Sequence, residues 1–363
     1  MTSSAGGQTP RATPKSKTTA KVAAPTIPRP SASVLLISPT NQILLLHRVQ
    51  SSSAFPSAHV FPGGNLSAQH DGHIPEPNAP ARHQDGEAYR LGAIRETFEE
   101  SGILLARNNG FGRLLEVRDD EREEGRKAIH QGALDFRTWL ARKGGRADTD
   151  GLIPFTRWIT PPHLPKRFTT QMYLYFLPVA STSSHADNPS MGPLSSNMST
   201  EAMIPSPTHD GGIEHTAARF LPPSAWLRMA NNEEIILFPP QYFLLHLIAP
   251  FLSPDNAPTP MEPGELSRQR GALLEFVRNG GGQTPWAEKA ISPEVVLKTK
   301  PGGYGDGRTM LGLAKPGPEL SGTGRTGDAE RIVYVDFRKE GTRRVEVRMK
   351  KDAFEDERDM GKL

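Results

Sequence analysis

Three glutamates with helical spacing are the residues of this chain best suited to chemistry. Glu96, Glu99 and Glu100 occupy positions i, i+3 and i+4, so a helix places their carboxylates on one face. Negative charges this close repel one another, and a divalent cation that prefers oxygen ligands, such as Mg²⁺ or Mn²⁺, relieves the repulsion. Arg95 stands four residues before Glu99 and is placed to hold one carboxylate. The spacing therefore predicts a metal-dependent site.

The flanking residues favour this interpretation over a solvated helix face, which is the usual explanation of an acidic cluster. Leu91, Ile94 and Phe98 have the apolar spacing of a helix over residues 87–101. Gly102 stands where such a helix should stop, because glycine readily adopts the left-handed conformation of a helix end. Upstream, a Gly-Gly pair ends the segment Phe-Pro-Gly-Gly and allows the backbone to approach a metal or phosphate closely.

Together these residues resemble the Nudix box, Gly-x5-Glu-x7-Arg-Glu-U-x-Glu-Glu-x-Gly-U, in which U is aliphatic. From Glu87 to Ile103 every fixed position has the spacing of the box, with Thr97 at the first aliphatic position. The departure lies upstream, where Ala81 occupies the place of the box glycine and the Gly63–Gly64 pair comes much earlier. The intervening residues therefore resemble an insertion into the loop before the helix.

The resemblance implies an α/β fold, namely the Nudix α/β/α sandwich with a mixed β-sheet. It also implies a metal-dependent hydrolase that cleaves a diphosphate bond in a small nucleoside diphosphate derivative. In such an enzyme, Glu99 and Glu100 would be the principal ligands of Mg²⁺ or Mn²⁺, with Glu96 as a ligand or the general base. Arg95 would orient Glu99, and a carbonyl of Gly63 or Gly64 would complete the coordination. Which glutamate takes the proton is left open.

Several segments are similar to one group within this family, the nucleoside diphosphate-linked moiety X motif 19 group, which includes coenzyme A diphosphatases. FPSAHVFPGG, followed by a long insertion and AIRETFEESGILL, has the order found in that group. RWITPPHLPKRFTTQMYLYFLP, FLPPSAWL and LFPPQYFLLHL resemble its later strands and helices. The resemblance covers residues 31–252.

Coenzyme A or an acyl-coenzyme A is the substrate favoured by this resemblance, giving 3′,5′-ADP and a 4′-phosphopantetheine. The family's coenzyme A signature is kept only in part, because Ser53 replaces its second arginine. The 3′-phosphate of coenzyme A needs a cation, for which Arg48 and Arg167 are the candidates. Glu87 is also predicted to contribute to substrate binding. ADP-ribose, NADH and dinucleoside polyphosphates remain alternative substrates, and a non-catalytic binding module is a further alternative.

The composition predicts one packed domain with irregular additions, because the 363 residues include 34 Pro and 34 Gly. Residues 1–30 are predicted to be a disordered tail or a targeting segment, and residues 31–252 the Nudix domain. That domain contains inserts at about 66–85 and 181–212, the latter predicted to be disordered. Residues 253–363 are predicted to be a looser, Gly-rich extension ending in a β-hairpin. Within it, GPELSGTGRTG lacks the strand-to-helix context of a phosphate loop and is predicted to be a flexible loop.

Charge and cysteine content exclude several classes of function. The formal net charge of +3 gives no electrostatic argument for a nucleic-acid partner, and the absence of cysteine excludes disulfides and thiolate chemistry. No segment has the pattern of a membrane span.

The acid-poor N-terminal segment favours a mitochondrial address, and the C-terminal Gly-Lys-Leu resembles a peroxisomal one. The two locations are predicted about equally, ahead of the cytosol, and the oligomeric state is left open.

Overall fold

The computed structural model of the protein describes residues 25–49, 57–110, 113–179, 215–252, 261–282, 284–298 and 306–359. In these ranges the strands are β1 (Arg29–Ile37), β2 (Ile43–Arg48), β3 (His59–Val60), β4 (Gly63–Asn65), β5 (Ala106–Asn108), β6 (Gly145–Ala147), β7 (Ile153–Ile159), β8 (Phe168–Phe176), β9 (His215–Leu221), β10 (Ala290–Ile291), β11 (Glu294–Lys298), β12 (Thr309–Leu313), β13 (Asp328–Arg338) and β14 (Gly341–Met349). The helices are α1 (Glu87–Ser101), α2 (Asp119–His130), α3 (Phe136–Arg142), α4 (Pro223–Asn231), α5 (Pro239–Ile248), α6 (Pro263–Asn279) and α7 (Lys350–Asp359). None of these helices is both long and apolar enough to span a membrane.

A mixed β-sheet forms the centre of the fold. Its main order is β10-β7-β8-β1-β2-β3, with β4 added to β1 and β9 added to β2. Strands β1 and β8 run parallel over their full length, whereas β7 and β8 are antiparallel. Because successive side chains of a strand point to opposite faces, the apolar β1 and β2 supply both layers of the core.

Helices cover both faces of this sheet. Leu36, Leu44 and other residues of one face pack with α1, α2 and α3. Leu35, Leu45 and other residues of the opposite face pack with α4, α5 and α6. The predicted α/β/α sandwich with a mixed sheet is therefore confirmed.

Described residues beyond 252 pack into the same core as the residues before it. Strand β10 continues the central sheet by parallel pairing with β7. Trp286 is fully buried, and Leu273 and Val333 belong to the same apolar cluster as Leu35. The predicted hairpin is present as β13 and β14, which end a four-stranded sheet and are followed by α7.

The sequence pattern predicted α1 to the residue, whereas residues 119–142, for which no element was given above, form the two helices α2 and α3. The chain breaks at Gly132, whose φ of 68° is left-handed. A new helix then begins after Asp135, whose side chain accepts a hydrogen bond of 2.8 Å from the Thr138 amide. The insert at 66–85 is irregular, as predicted, but it is folded against the domain and buries His70 and Asp71. The predicted insert at 181–212 and residues 1–24 of the predicted tail lie outside the described residues.

Candidate active site

Helix α1 places the three glutamates on one face near its C-terminal end. It ends at Gly102, where φ is 72° and the amide donates to the Phe98 carbonyl at 2.8 Å. The negative end of the helix dipole faces the same region, so it adds to the electrostatic cost of the carboxylates. This region of α1 therefore has an excess of negative charge that a cation would compensate.

The three carboxylates line one cavity of about 450 Å³. Side-chain exposure is 16% for Glu96 and 8% for Glu99, and Glu100 as a residue is 5% exposed. The remaining lining comes from the end of β4, the start of the insert, Arg95, and the end of α2 with the two residues after it, as Asn65, Leu66, Ser67, Gln69, His70, Arg95, Ile129, His130, Gln131 and Gly132. The glutamates predicted from spacing thus meet at a cavity that a small molecule can enter.

Arg95 holds two of the glutamates and is itself held by an aspartate. Its Nη1 lies 2.9 Å from Glu96 Oε1 and donates to Glu99 Oε1 at 2.8 Å, so the predicted contact with Glu99 is present. Its Nε and Nη2 donate to Asp71 Oδ1 and Oδ2, each at 2.9 Å. Its Nη2 also donates to the Asn65 carbonyl at 3.0 Å. The guanidinium is therefore fixed in one orientation beneath the cavity.

The Gly63–Gly64 pair lies against the carboxyl groups of Glu96 and Glu100. The Gly63 amide donates to Glu100 Oε2 at 2.8 Å. A Cβ on Gly64 would lie 2.5 Å from the carboxyl carbon of Glu96, so only glycine leaves room for that side chain. Gly63 itself has φ of 153° and packs against β1. Neither glycine lines the cavity, and the predicted role of their carbonyls in metal coordination stays a prediction.

Burial raises the pKa of Glu96 to about 7. Arg95 opposes this change, whereas the negative charges of Glu99 and Asp71 add to it. Glu96 therefore exchanges a proton near neutral pH, which is the range where a general base works efficiently. On the other side of the cavity, His130 Nδ1 lies 3.2 Å from Glu99 Oε2.

The donor set fits Mg²⁺ or Mn²⁺ by its chemistry. Glu96, Glu99 and Glu100 offer carboxylate oxygens at one cavity, and Asp71, Glu96 and Glu99 contact the guanidinium of Arg95. Among the described residues, however, no three His, Cys, Asp or Glu side chains already converge as a finished cation site. In this structure Glu96 and Glu99 both contact Arg95 instead.

Three residues predicted to bind substrate do not line this cavity. Glu87 is exposed at the start of α1, about 14 Å from Glu96 along the helix axis. Arg48 is half-buried at the end of β2. Arg167 is 3% exposed and pairs through Nη1 with Glu319 Oε1 at 2.6 Å, while its Nε donates to the Thr160 carbonyl. The charge of Arg167 is thus paired inside the fold, and its predicted role in substrate binding stays a prediction.

The sequence pattern missed Asp71 and His130 as parts of the site. Asp71 lies in an insert without periodicity, and its only sequence signal is that it is the first acidic residue of the chain. His130 is the last residue of α2 and reaches Glu99 only through the packing of two helices. Neither position could be inferred from spacing within α1.

The chain is similar to three curated proteins, each 28% identical. A "Putative nudix hydrolase 7" of Caenorhabditis elegans aligns over 147 residues, which is 40% of this chain and 43% of that protein. The "Acyl-coenzyme A diphosphatase NUDT19" of Xenopus laevis aligns over 33% of this chain and 42% of its own length. The protein of the same name from Gallus gallus aligns over 58% of this chain and 62% of its own length. The chain thus spans about half the length of these relatives.

The chain is also similar to solved structures, of which one carries a Nudix name and another is named an Ap4A hydrolase. A NUDIX hydrolase from Alicyclobacillus acidocaldarius is 20% identical with a TM-score of 0.45, covering 61% of this chain and 90% of that one. A C. elegans Ap4A hydrolase binary complex is 14% identical with a TM-score of 0.26, covering 61% and 97%. No family model matches the chain.

Proposed function

We propose that the chain, a member of the Nudix superfamily that resembles the acyl-coenzyme A diphosphatases, is a metal-dependent hydrolase of a diphosphate bond. The observation that carries this proposal is the shared cavity of Glu96, Glu99 and Glu100, with Arg95 fixed beneath them. A non-catalytic binding module would not need three acidic side chains held at one cavity against their mutual repulsion.

Glu99 and Glu100 are the principal residues that would hold Mg²⁺ or Mn²⁺, with Glu96 beside them as a further ligand or as the general base. The chemistry supplied by such a cation is neutralisation of the diphosphate charge and a lower pKa of water at the reaction centre. The Gly63 amide keeps Glu100 Oε2 in place, and Arg95 keeps Glu99 on the cavity side of α1.

Glu96 is our candidate for the proton acceptor. Its carboxyl lines the cavity, and burial raises its pKa to about 7. A carboxylate with this affinity for protons can take one from an attacking water and release it again near neutral pH. The role of Arg95 and Asp71 is positioning, since Asp71 is fully buried behind the guanidinium.

The substrate we favour is coenzyme A or an acyl-coenzyme A, giving 3′,5′-ADP and a 4′-phosphopantetheine. Two lines support this choice, namely the resemblance over residues 31–252 and the name carried by the Xenopus and Gallus relatives. Arg48 remains our candidate cation for the 3′-phosphate. ADP-ribose, NADH and dinucleoside polyphosphates require the same catalytic groups, so a direct comparison of substrates is needed.

The test is mass-detected chromatography after incubation with coenzyme A, an acyl-coenzyme A, ADP-ribose, NADH or diadenosine tetraphosphate. Each substrate is tested with Mg²⁺, with Mn²⁺ and with a chelator.

Glu100→Gln keeps an oxygen for the Gly63 amide but loses the charge. Glu124→Gln changes an exposed glutamate of α2 and serves as the matched control. Release of 3′,5′-ADP by the wild type and Glu124→Gln alone supports the proposal. If another substrate is cleaved instead, the proposed diphosphate hydrolysis stands and coenzyme A is rejected as the substrate. If none of the substrates is cleaved in a metal-dependent way, the proposal that the chain is a hydrolase is rejected.

A further inference from the structure

A second cavity, of about 820 Å³, lies between the β7–β8 turn and the C-terminal extension. Residues 161–163 line one part of the cavity. The rest of the lining comes from residues 292–295 and from the glycine-rich segment 315–326, in which only Glu319 and Thr323 do not line the cavity. Among the described residues, none lines both this cavity and that of the glutamates. The nucleotide chemistry proposed above therefore does not account for it.

The glycine-rich wall is held by hydrogen bonds, and its predicted flexibility stays a prediction. The Gly327 amide donates to the Ala314 carbonyl at 2.8 Å, and the Thr323 hydroxyl donates to the Leu320 carbonyl at 2.7 Å. The Thr326 carbonyl accepts from the amide of Ala290 in β10 at 3.0 Å. The segment is thus tied to the strand that completes the central sheet.

Arg325 provides a positive charge in this wall. Its Nε donates to the Glu288 carbonyl at 2.9 Å and its Nη1 to the His83 carbonyl at 2.6 Å, so both acceptors are neutral. No described carboxylate forms an ion pair with it within 4.0 Å, and the exposed Glu288 side chain acts only at longer range. The other cation of the wall, Lys315, pairs with Glu294 at 2.8 Å.

A second arginine adds to this excess of positive charge. Arg157 is fully buried, and its Nη1 and Nη2 donate to Thr169 Oγ1 and Gln171 Oε1, which are also neutral. Burial, followed by the charge of Arg157, lowers the pKa of Arg325 to about 10, so Arg325 is still charged at neutral pH. An anion at Arg325 would offset the repulsion between the two guanidinium groups.

The rest of the lining is largely apolar. Pro161 and Pro162 face the cavity from one side, and Pro293, Val295 and Leu320 from the other. Apolar walls of this kind favour the apolar body of a ligand, because its contact with water is lost on binding. A cation beside apolar walls fits a ligand in which one anionic group is joined to an apolar part.

We propose that this cavity binds a small anionic amphiphile, with a carboxylate or phosphate at Arg325 and an apolar body against the proline-lined walls. The guanidinium offers its remaining N–H groups to the anion, and charge-assisted hydrogen bonds of this kind are about twice as strong as neutral ones. The ligand class is distinct from the nucleoside diphosphate derivative proposed for the glutamate cavity.

The test is isothermal titration of the full chain with hexyl phosphate, hexanoate, inorganic phosphate and hexanol, without divalent cation. Saturable binding of hexyl phosphate or hexanoate, tighter than that of inorganic phosphate and hexanol, is the expected result. The better of the two amphiphiles identifies the preferred anionic group. Glu100→Gln is titrated in parallel and should bind equally well, which separates this site from the glutamate cavity.

Two variants of the wall distinguish a site from unspecific association. Arg325→Gln should weaken binding about tenfold or more, and Ser321→Trp should block the cavity without removing the cation. Arg268→Gln, an exposed arginine of α6 paired with Glu265, should bind as the wild type does. The proposal is overturned if no probe shows saturable binding, or if binding is unchanged in Ser321→Trp. Because Ser321→Trp leaves the hydrogen bonds of Arg325 in place, it tests the cavity even if Arg325→Gln does not fold.

Discussion

Asp71 accepts two parallel hydrogen bonds from Arg95, each 2.9 Å long, and so joins the 66–85 insert to the helix that carries the glutamates. Both side chains are nearly inaccessible, with exposures of 0% for Asp71 and 5% for Arg95. The contact gives the insert a role in the site, because Arg95 in turn contacts Glu96 and Glu99.

We expect Asp71→Asn to reduce both stability and activity. The change leaves Arg95 buried with one carboxylate fewer, and breaking a buried ion pair costs about 3–5 kcal/mol. Urea unfolding followed by circular dichroism measures the first effect, and kcat/KM at a permissive temperature measures the second. Asp119→Asn, at an 88% exposed side chain of α2, is the control. An unfolding free energy equal to that of the wild type would contradict the structural role of the pair.

Glu96 should make the metal-free protein less stable as the pH rises. Its pKa in the folded chain is about 7, above the ordinary 4.5, so the folded state binds the proton more tightly than the unfolded state. The resulting stabilisation is fully present below pH 4.5 and is lost as the pH rises through 7. At about 1.4 kcal/mol per pKa unit, the effect is at most about 3 kcal/mol.

Glu96→Gln isolates this contribution from other titrating groups. The amide stays neutral, so the melting temperature of the variant minus that of the wild type should increase between pH 5 and pH 8 in the presence of a chelator. A difference that is constant over this range would show that Glu96 titrates normally in the fold.

Gly64→Ala should reduce turnover much more than stability. The added Cβ would lie 2.5 Å from the Glu96 carboxyl carbon, and a side-chain end of this kind can move aside. A displacement of about 1 Å in a catalytic group can cost roughly a hundredfold in rate. Gly264→Ala, near the start of α6 with nothing within 4 Å of the added carbon, is the matched control for kcat and melting temperature. Equal kcat in both variants would count against the positioning role of Gly64.

Arg48 and Arg167 should respond differently to mutation. If Arg48 binds the 3′-phosphate, Arg48→Gln raises KM for coenzyme A but not for dephospho-coenzyme A, which lacks that group. Arg167→Gln breaks the buried pair with Glu319 and should lower stability without this difference between substrates. Initial-rate kinetics on the two substrates tests both, and a KM for coenzyme A unchanged in Arg48→Gln would exclude Arg48.

The local part of the site could be predicted from sequence because it lies on one helix. The positions of Glu96, Glu99 and Glu100 follow from helical periodicity, and the end of α1 follows from Gly102. Asp71 could not be predicted, because its contact with Arg95 depends on an irregular loop whose path no period describes. The pairing of Arg167 could not be predicted for a related reason, since its partner Glu319 lies far along the chain in the extension.

The pairing of β10 with β7 has a consequence for how this protein can be divided. Residues 25–252 alone would leave β7 as an open edge strand, with unpaired backbone groups that invite association with other chains. They would also lose Trp286, whose ring lies 5.8 Å from that of Phe155 in the core. The segment that carries the Nudix resemblance therefore does not by itself complete the central sheet and the core of this fold.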